Sequence, residues 1–331
     1  MLFVTNRSFN EGKISPEPGE TRTVTFDGEN IEPGSAVFFC ERTDANDYTE
    51  IGSLEFLRRL KEAPERQVLL YIHGFNNQPE EDIFPRAKAL QDLCDSAGRG
   101  EIKVVPLIWP CDNDVGVIKD YWDDQESADQ SAFAFTRVLG KFLDWRGKQG
   151  LEDDACYKRI NVLAHSMGNR VLGRTLTRWT EVYGPVPRIF RNVFLFAADI
   201  PNEALEEGRE GFQVSQSARN VAVYFAGDDL AMPASKVANL KNKIITARLG
   251  HTGPQNMERV GRNVFAVDCD DINSFYDTPK GHAYFLHAGG GVEPGAAFKH
   301  MFHALATGRV DADPTTRMRV LSRNYEPPAQ G

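Results

Sequence analysis

From residue 66 onward the chain alternates between two hydrophobic rhythms. Nearly unbroken apolar runs occur at residues 66–73, 103–109, 160–165, 189–197, 220–226 and 263–267. Runs this short, bounded by Gly, Pro, Asn or Asp, predict strands buried on both faces of a parallel sheet. Between them apolar residues at 128, 132, 135, 139 and 142 step by four and three, predicting a helix over 128–142, and further helices are expected at 87–93, 203–213 and 233–240. A further helix is marked by Val171, Leu172, Leu176 and Trp179 on one face, and a short strand is expected at 244–249. Pro106 cannot donate to a ladder, so it predicts a bulge or interruption in the second run. Strand and helix alternating in this way imply right-handed crossovers that cover both faces of the sheet.

The first 65 residues have a different texture. Three β-like pieces at 2–5, 21–26 and 36–40 are separated by turn chemistry such as Glu17-Pro18-Gly19 and Glu32-Pro33-Gly34, and a short helix follows at 52–61. They predict an antiparallel edge on the larger sheet. At the other end, 250–262 and 269–281 read as loops over the sheet's C-terminal edge, 296–307 as a terminal helix and 324–331 as a frayed tail. The expectation is an α/β fold with a mostly parallel central sheet, helices on both faces and an antiparallel N-terminal edge. A length of 331 residues is compatible with one domain, with edge strands and helix at 1–65, a core at 66–286 and a C-terminal helix and tail at 287–331.

Composition narrows the function by exclusion. A net charge of −9 gives no electrostatic footprint for nucleic acid or an anionic membrane, so neither is expected as a partner. No apolar run reaches the ~18 residues of a membrane span, and the N-terminus lacks the features of a signal peptide. Five scattered cysteines without Cys-x-x-Cys spacing argue against a disulfide framework and a zinc cluster. The expected setting is cytoplasmic, with reduced thiols, no metal and an oligomeric state that the sequence leaves unknown.

The candidate chemistry centres on Ile160-Asn161-Val162-Leu163-Ala164-His165-Ser166-Met167-Gly168-Asn169-Arg170. An apolar run reaches a serine flanked two residues either side by Ala164 and Gly168, and a helical pattern begins at once. This is a nucleophile elbow, whose small neighbours let the backbone bend sharply enough to expose the hydroxyl. Ser166 needs a base, an acid that orients the base and donors for an oxyanion. With the chain order serine, acid, histidine, His282 in Gly281-His282-Ala283-Tyr284-Phe285 is the favoured base and His251 its competitor. His300 and His303 fall in the terminal helix. Asp228 and Asp229 follow the strand ending at Ala226, and Asp199 stands one strand earlier as the alternative acid. The amides of Phe75, after the 66–73 strand, and of Met167 are the candidate oxyanion donors. His73 is expected to brace its loop and His165 to point away from Ser166. Gly289-Gly290-Gly291 lacks the Lys-Ser/Thr of a phosphate loop, no dinucleotide fingerprint or metal-ligand spacing occurs, and no cofactor is expected.

With these motifs placed, the chain resembles the α/β-hydrolase superfamily, in particular a bacterial branch catalogued as a domain of unknown function. The resemblance is carried by Thr5-Asn6-Arg7, Ile72-His73-Gly74-Phe75-Asn76, Ile108-Trp109-Pro110, Tyr121 with Asp124 and Ser127-Ala128, the elbow with its Asn169-Arg170 extension, Asp199, Asp229-Leu230-Ala231-Met232, and Gly281 to Phe285. It covers most of residues 66–286. It favours Asp229 over Asp228, because an apolar residue stands three after the acid, and it favours His282. Ala283 stands where a serine is common, and Asp112 and Asn113 stand where a small residue and glycine are usual.

Together these readings predict a serine hydrolase, cleaving a carboxylic ester of a small-molecule acyl substrate through an acyl-enzyme. Acyl transfer to another acceptor, thioester cleavage or amide cleavage would use the same residues, and a binding or scaffold protein on this fold is the non-enzymatic alternative. Loops 110–126, 201–218 and 250–262, with Tyr121, Trp122 and Phe212, are the expected pocket walls.

Overall fold

The computed structural model describes residues 1–11, 21–27, 33–98, 100–111, 117–149, 156–229, 247–278, 281–289 and 291–329. Its strands are β1 (Leu2–Arg7), β2 (Phe9–Glu11), β3 (Arg22–Phe26), β4 (Pro33–Asp44), β5 (Asp47–Glu50), β6 (Gln67–Ile72), β7 (Ile102–Ile108), β8 (Arg159–His165), β9 (Phe190–Phe196), β10 (Ala218–Phe225), β11 (Val264–Asp268) and β12 (Met318–Val320). They form one sheet in the order β12-β11-β10-β9-β8-β6-β7-β1-β4-β5-β3-β2. Pairing is parallel from β12 to β1 and antiparallel from β1 to β2.

Each sheet face carries its own apolar core, because every central strand is apolar on both sides. Helices α1 (Gly52–Glu62), α3 (Val117–Gln149), α4 (Gly168–Tyr183) and α5 (Phe212–Ser217) pack on one face through Phe56, Phe135, Val171, Leu176 and Val214. Helices α2 (Phe84–Ala97) and α8 (Ala296–Thr307) cover the other through Phe84, Leu90, Phe298 and Met301. The short α6 (Leu249–Thr252) and α7 (Asn273–Tyr276) lie in the connections around β11.

At the N-terminal ends of the central strands a buried amide ladder crosses the sheet. Asn161 Nδ2 donates to Gln67 Oε1 (3.3 Å), Asn192 Nδ2 to Asn161 Oδ1 (2.8 Å) and Asn220 Nδ2 to Asn192 Oδ1 (2.8 Å). The same amides reach carbonyls at and just beyond the end of α8: Gln67 bonds Leu305 O, Asn192 bonds Ala304 O and Asn220 bonds Gly308 O. A helix C-terminus has carbonyls without intrahelical partners, and Gln67 satisfies one of them, that of Leu305.

Several expectations are corrected. β7 pairs in unbroken register with β6 through Pro106, so there is no bulge. Its ladder to β1 covers only Leu107 and Ile108, beyond the residue that lacks an N–H. The helix expected at 203–213 is instead a chain of turns joined by three-residue bonds, Ala204 to Pro201, Glu206 to Glu203 and Arg209 to Glu206, and helix forms only in α5. Bridges from Pro201 to Arg248 and Glu206 to Val260 hold it in that path. Tyr121 and Trp122 lie within α3 rather than in a loop. β12, β2 and β5 are only three or four residues long, too short for a period-two pattern to show. The helix at 233–240 and Asp112 lie outside the described residues, as does the strand at 244–249 apart from its end, where Leu249 opens α6.

Candidate active site

The C-terminal ends of β6, β8 and β10 bring the candidate residues to one edge. β8 ends at His165, and Ser166 follows with φ of +51°, a left-handed conformation that is strained for a residue with a side chain. The bend is secured on every side. Ser166 N donates to Phe196 O, while Ser166 O accepts from the amides of Asn169 and Asp199 and from Asn169 Nδ2 at 2.9 Å. Asn169 Nδ2 also reaches Ala164 O and Phe196 O, tying the elbow to two strands.

Close backbone approach explains the glycines. A Cβ on Gly168 would lie 2.5 Å from His73 O and 2.6 Å from Ile72 O, so only glycine lets α4 begin against the end of β6. A Cβ on Gly74 would lie 2.9 Å from Ser166 Cβ and 3.5 Å from Ser166 Oγ, so the loop after β6 runs directly beside the nucleophile candidate.

That loop is fixed by His73, which is fully buried. Its Nδ1 donates to Gly74 O (2.8 Å), its Nε2 accepts from Trp109 N (3.2 Å), and its ring stacks on Trp109. Burial pushes the imidazole down to about 3, so His73 is neutral and acts as a brace. Asp124, buried on α3, accepts from Asn76 N at 3.1 Å and holds the next turn of the same loop. Phe75 lies between these two anchors, and Met167 stands at the N-terminus of α4, where amides and helix dipole favour negative charge.

Asp229 follows β10 with its carboxylate fully buried, and its Oδ2 meets His282 Nδ1 at 2.7 Å. Asp228, its neighbour, is exposed. Asp199 is engaged elsewhere, in a buried ion pair with Arg248 (3.2 Å), and His251 lies on α6 without a bond to either aspartate. Of the alternatives, the structure therefore brings only Asp229 and His282 together. The Ser166 hydroxyl and His282 Nε2 are both buried and make no hydrogen bond among the described residues.

The position of His282 is set from below and behind. Tyr284 and Phe285 are buried, Tyr284 donating its hydroxyl to Tyr224 O (3.2 Å) and Phe285 packing on Tyr71, His165 and Phe196. His165 donates from Nε2 to His282 O (3.2 Å), and burial holds its own imidazole neutral. Asp277 Oδ2 accepts from His282 N (2.8 Å) and Ala283 N (2.7 Å). Sequence reasoning missed Asp277, although Asp opening the turn Asp277-Thr278-Pro279-Lys280-Gly281 is a recognisable loop-forming signal.

Among the described residues no cluster of three or more His, Cys, Asp or Glu is placed to hold a metal, and no helix is long and apolar enough to cross a membrane. None of the five cysteines is in a disulfide.

A twisted parallel sheet with a serine turn, a histidine loop and a buried aspartate at its C-terminal edge defines an α/β hydrolase. The family described as alpha/beta hydrolase of unknown function, DUF900, matches residues 51–288, and the chain belongs to it. No curated protein matches the chain. Among solved structures it is similar to phospholipase PlaB from Legionella pneumophila in complex with thio-NAD, with 14% identity and a TM-score of 0.26 over 70% of this chain and 43% of that one. A second structure of phospholipase PlaB from the same organism gives 12% identity and a TM-score of 0.25 over 64% and 41%. The chain spans less than half the length of these solved chains.

Proposed function

We propose that the protein is a serine hydrolase acting on carboxylic esters of small-molecule acyl substrates, through an acyl-enzyme and without a cofactor. The carrying observation is the 2.7 Å bond between Asp229 Oδ2 and His282 Nδ1. With Nδ1–H committed to the carboxylate, Nε2 carries the lone pair that can take a proton from Ser166. Among the described residues no group competes for the Ser166 hydroxyl or for His282 Nε2. Contacts of this kind commonly tighten when substrate binds.

In the reaction Ser166 Oγ attacks the ester carbonyl as its proton passes to His282 Nε2. Asp229 stabilises the imidazolium, and the amides of Phe75 and Met167 receive the developing oxyanion. His282 then protonates the leaving alcohol, and water repeats the sequence on the acyl-enzyme.

Fluorophosphonate labelling with peptide mapping tests this reading. Wild-type protein is expected to label at Ser166, Ser166→Ala to lose the label, and His282→Ala to label far more slowly. Unlabelled but folded wild type, or ester hydrolysis that survives Ser166→Ala, would overturn it.

A further inference from the structure

Helices α1, α3 and α4 do not close completely over their face of the sheet. They enclose a cavity of about 110 Å³ with an almost entirely apolar lining. Leu70, in the middle of the central strand β6, remains partly exposed there while Val68, Leu69, Tyr71 and Ile72 are buried. The lining runs along β6 from Val68 to Ile72, so at about 3.3 Å per residue the cavity is roughly 13 Å long. So small a volume over that length is one hydrocarbon chain wide.

Two lining side chains are polar. Thr175 already donates its hydroxyl to Val171 O at 2.7 Å. Lys141 is exposed and makes no ion pair among the described residues. Helix α3 touches the site edge at Asp124, and Lys141 lies roughly 25 Å further along the axis at about 1.5 Å per residue. It therefore marks a mouth at the sheet edge opposite Ser166. An apolar cavity of comparable size stays dry and takes up an apolar guest.

We propose that this channel binds a medium-chain monocarboxylate, its carboxylate on Lys141 and its hydrocarbon tail running beneath α4 toward Leu172. Narrow apolar walls select a single chain, and the Lys141 ammonium at the mouth, without an ion pair among the described residues, selects an anionic head. The site is separate from the serine chemistry and stands whether or not that chemistry is as proposed.

Octanoate binding to the purified protein, followed by calorimetry and by the thermal unfolding midpoint, is the test. Saturable binding that raises the midpoint is expected. Leu139→Trp, which fills the channel from α3, should abolish it, with Val138→Phe as a second filling variant and circular dichroism as the check on folding. Lys141→Glu should weaken octanoate about fivefold or more while leaving octan-1-ol unchanged. No octanoate binding, or undiminished binding to folded filled variants, overturns the proposal. Octanol binding as tightly as octanoate, with no effect of Lys141→Glu, overturns the assignment to carboxylates. Dimerisation through this face in place of binding would make a second copy the occupant and overturn it too.

Discussion

The Asp229 carboxylate and the His282 imidazole meet at 2.7 Å although 53 residues separate them in the chain. Asp228, one residue away, points to solvent. Asp229→Asn is expected to slow fluorophosphonate labelling of Ser166 by about 10³–10⁴-fold, because the amide favours the wrong imidazole tautomer. Asp228→Asn should change it less than about twofold. Equal losses in the two variants, read from labelling rates, would show that the pair acts through its charge and not through the bond.

Two glycines of α4 give opposite expectations. Gly168→Ala would push a methyl into the His73 and Ile72 carbonyls and should lower stability by about 1–3 kcal/mol. Gly173, with nothing within 4 Å of its missing Cβ, should become more stable by about 0.5–1 kcal/mol when changed to Ala. Urea unfolding of both variants checks the sign.

Acid should unfold the protein through three buried histidines. His73 is held down to about 3, His300 to about 4 and His165 well below its ordinary value, each chiefly by burial. Each is neutral in the fold and protonates freely once unfolded, so the unfolded chain binds more protons below about pH 6.5. The stability is fully present above that pH and is lost as pH falls toward 4, by up to about 1.4 kcal/mol per pH unit for each histidine. Urea midpoints across this range should fall steeply, and His300→Gln should reduce the slope. A flat profile would show that the histidines are protonated in the fold.

The amide ladder should contribute to stability without touching the site. Asn192→Leu leaves the buried Asn161 Oδ1 without its donor and removes the Asn220 and Ala304 bonds made to Asn192, so a loss of about 1–3 kcal/mol is expected in urea unfolding. The labelling rate of Ser166, at the opposite end of the strands, should not change.

Much of the fold was legible because the central strands are apolar on both faces. Residues 66–73 and 160–165 read as strands, and the terminal helix at 296–307 has the observed bounds of α8. Reading failed where tertiary bonds overrode local pattern. The segment 203–213, expected as a helix, runs instead as turns, with Gly208 at positive φ and bridges to Arg248 and Val260. Met318–Val320 is a strand only because β11 lies beside it. Asp277 was missed because its role depends on two amides of a loop whose path the sequence does not show.

Sequence by itself determined the succession of the central strands β6 to β11, the serine turn between small residues and the set of acids and histidines from which a site could be drawn. These follow from periodicity and from backbone sterics, which act over a few residues. Only the tertiary structure decided which members of that set meet. Asp228 and Asp229 are chemically identical neighbours, and Asp199 is a third aspartate. Burial against His282, exposure, and capture by Arg248 separate the three, because these depend on how β9, β10 and the 281–285 loop pack in space.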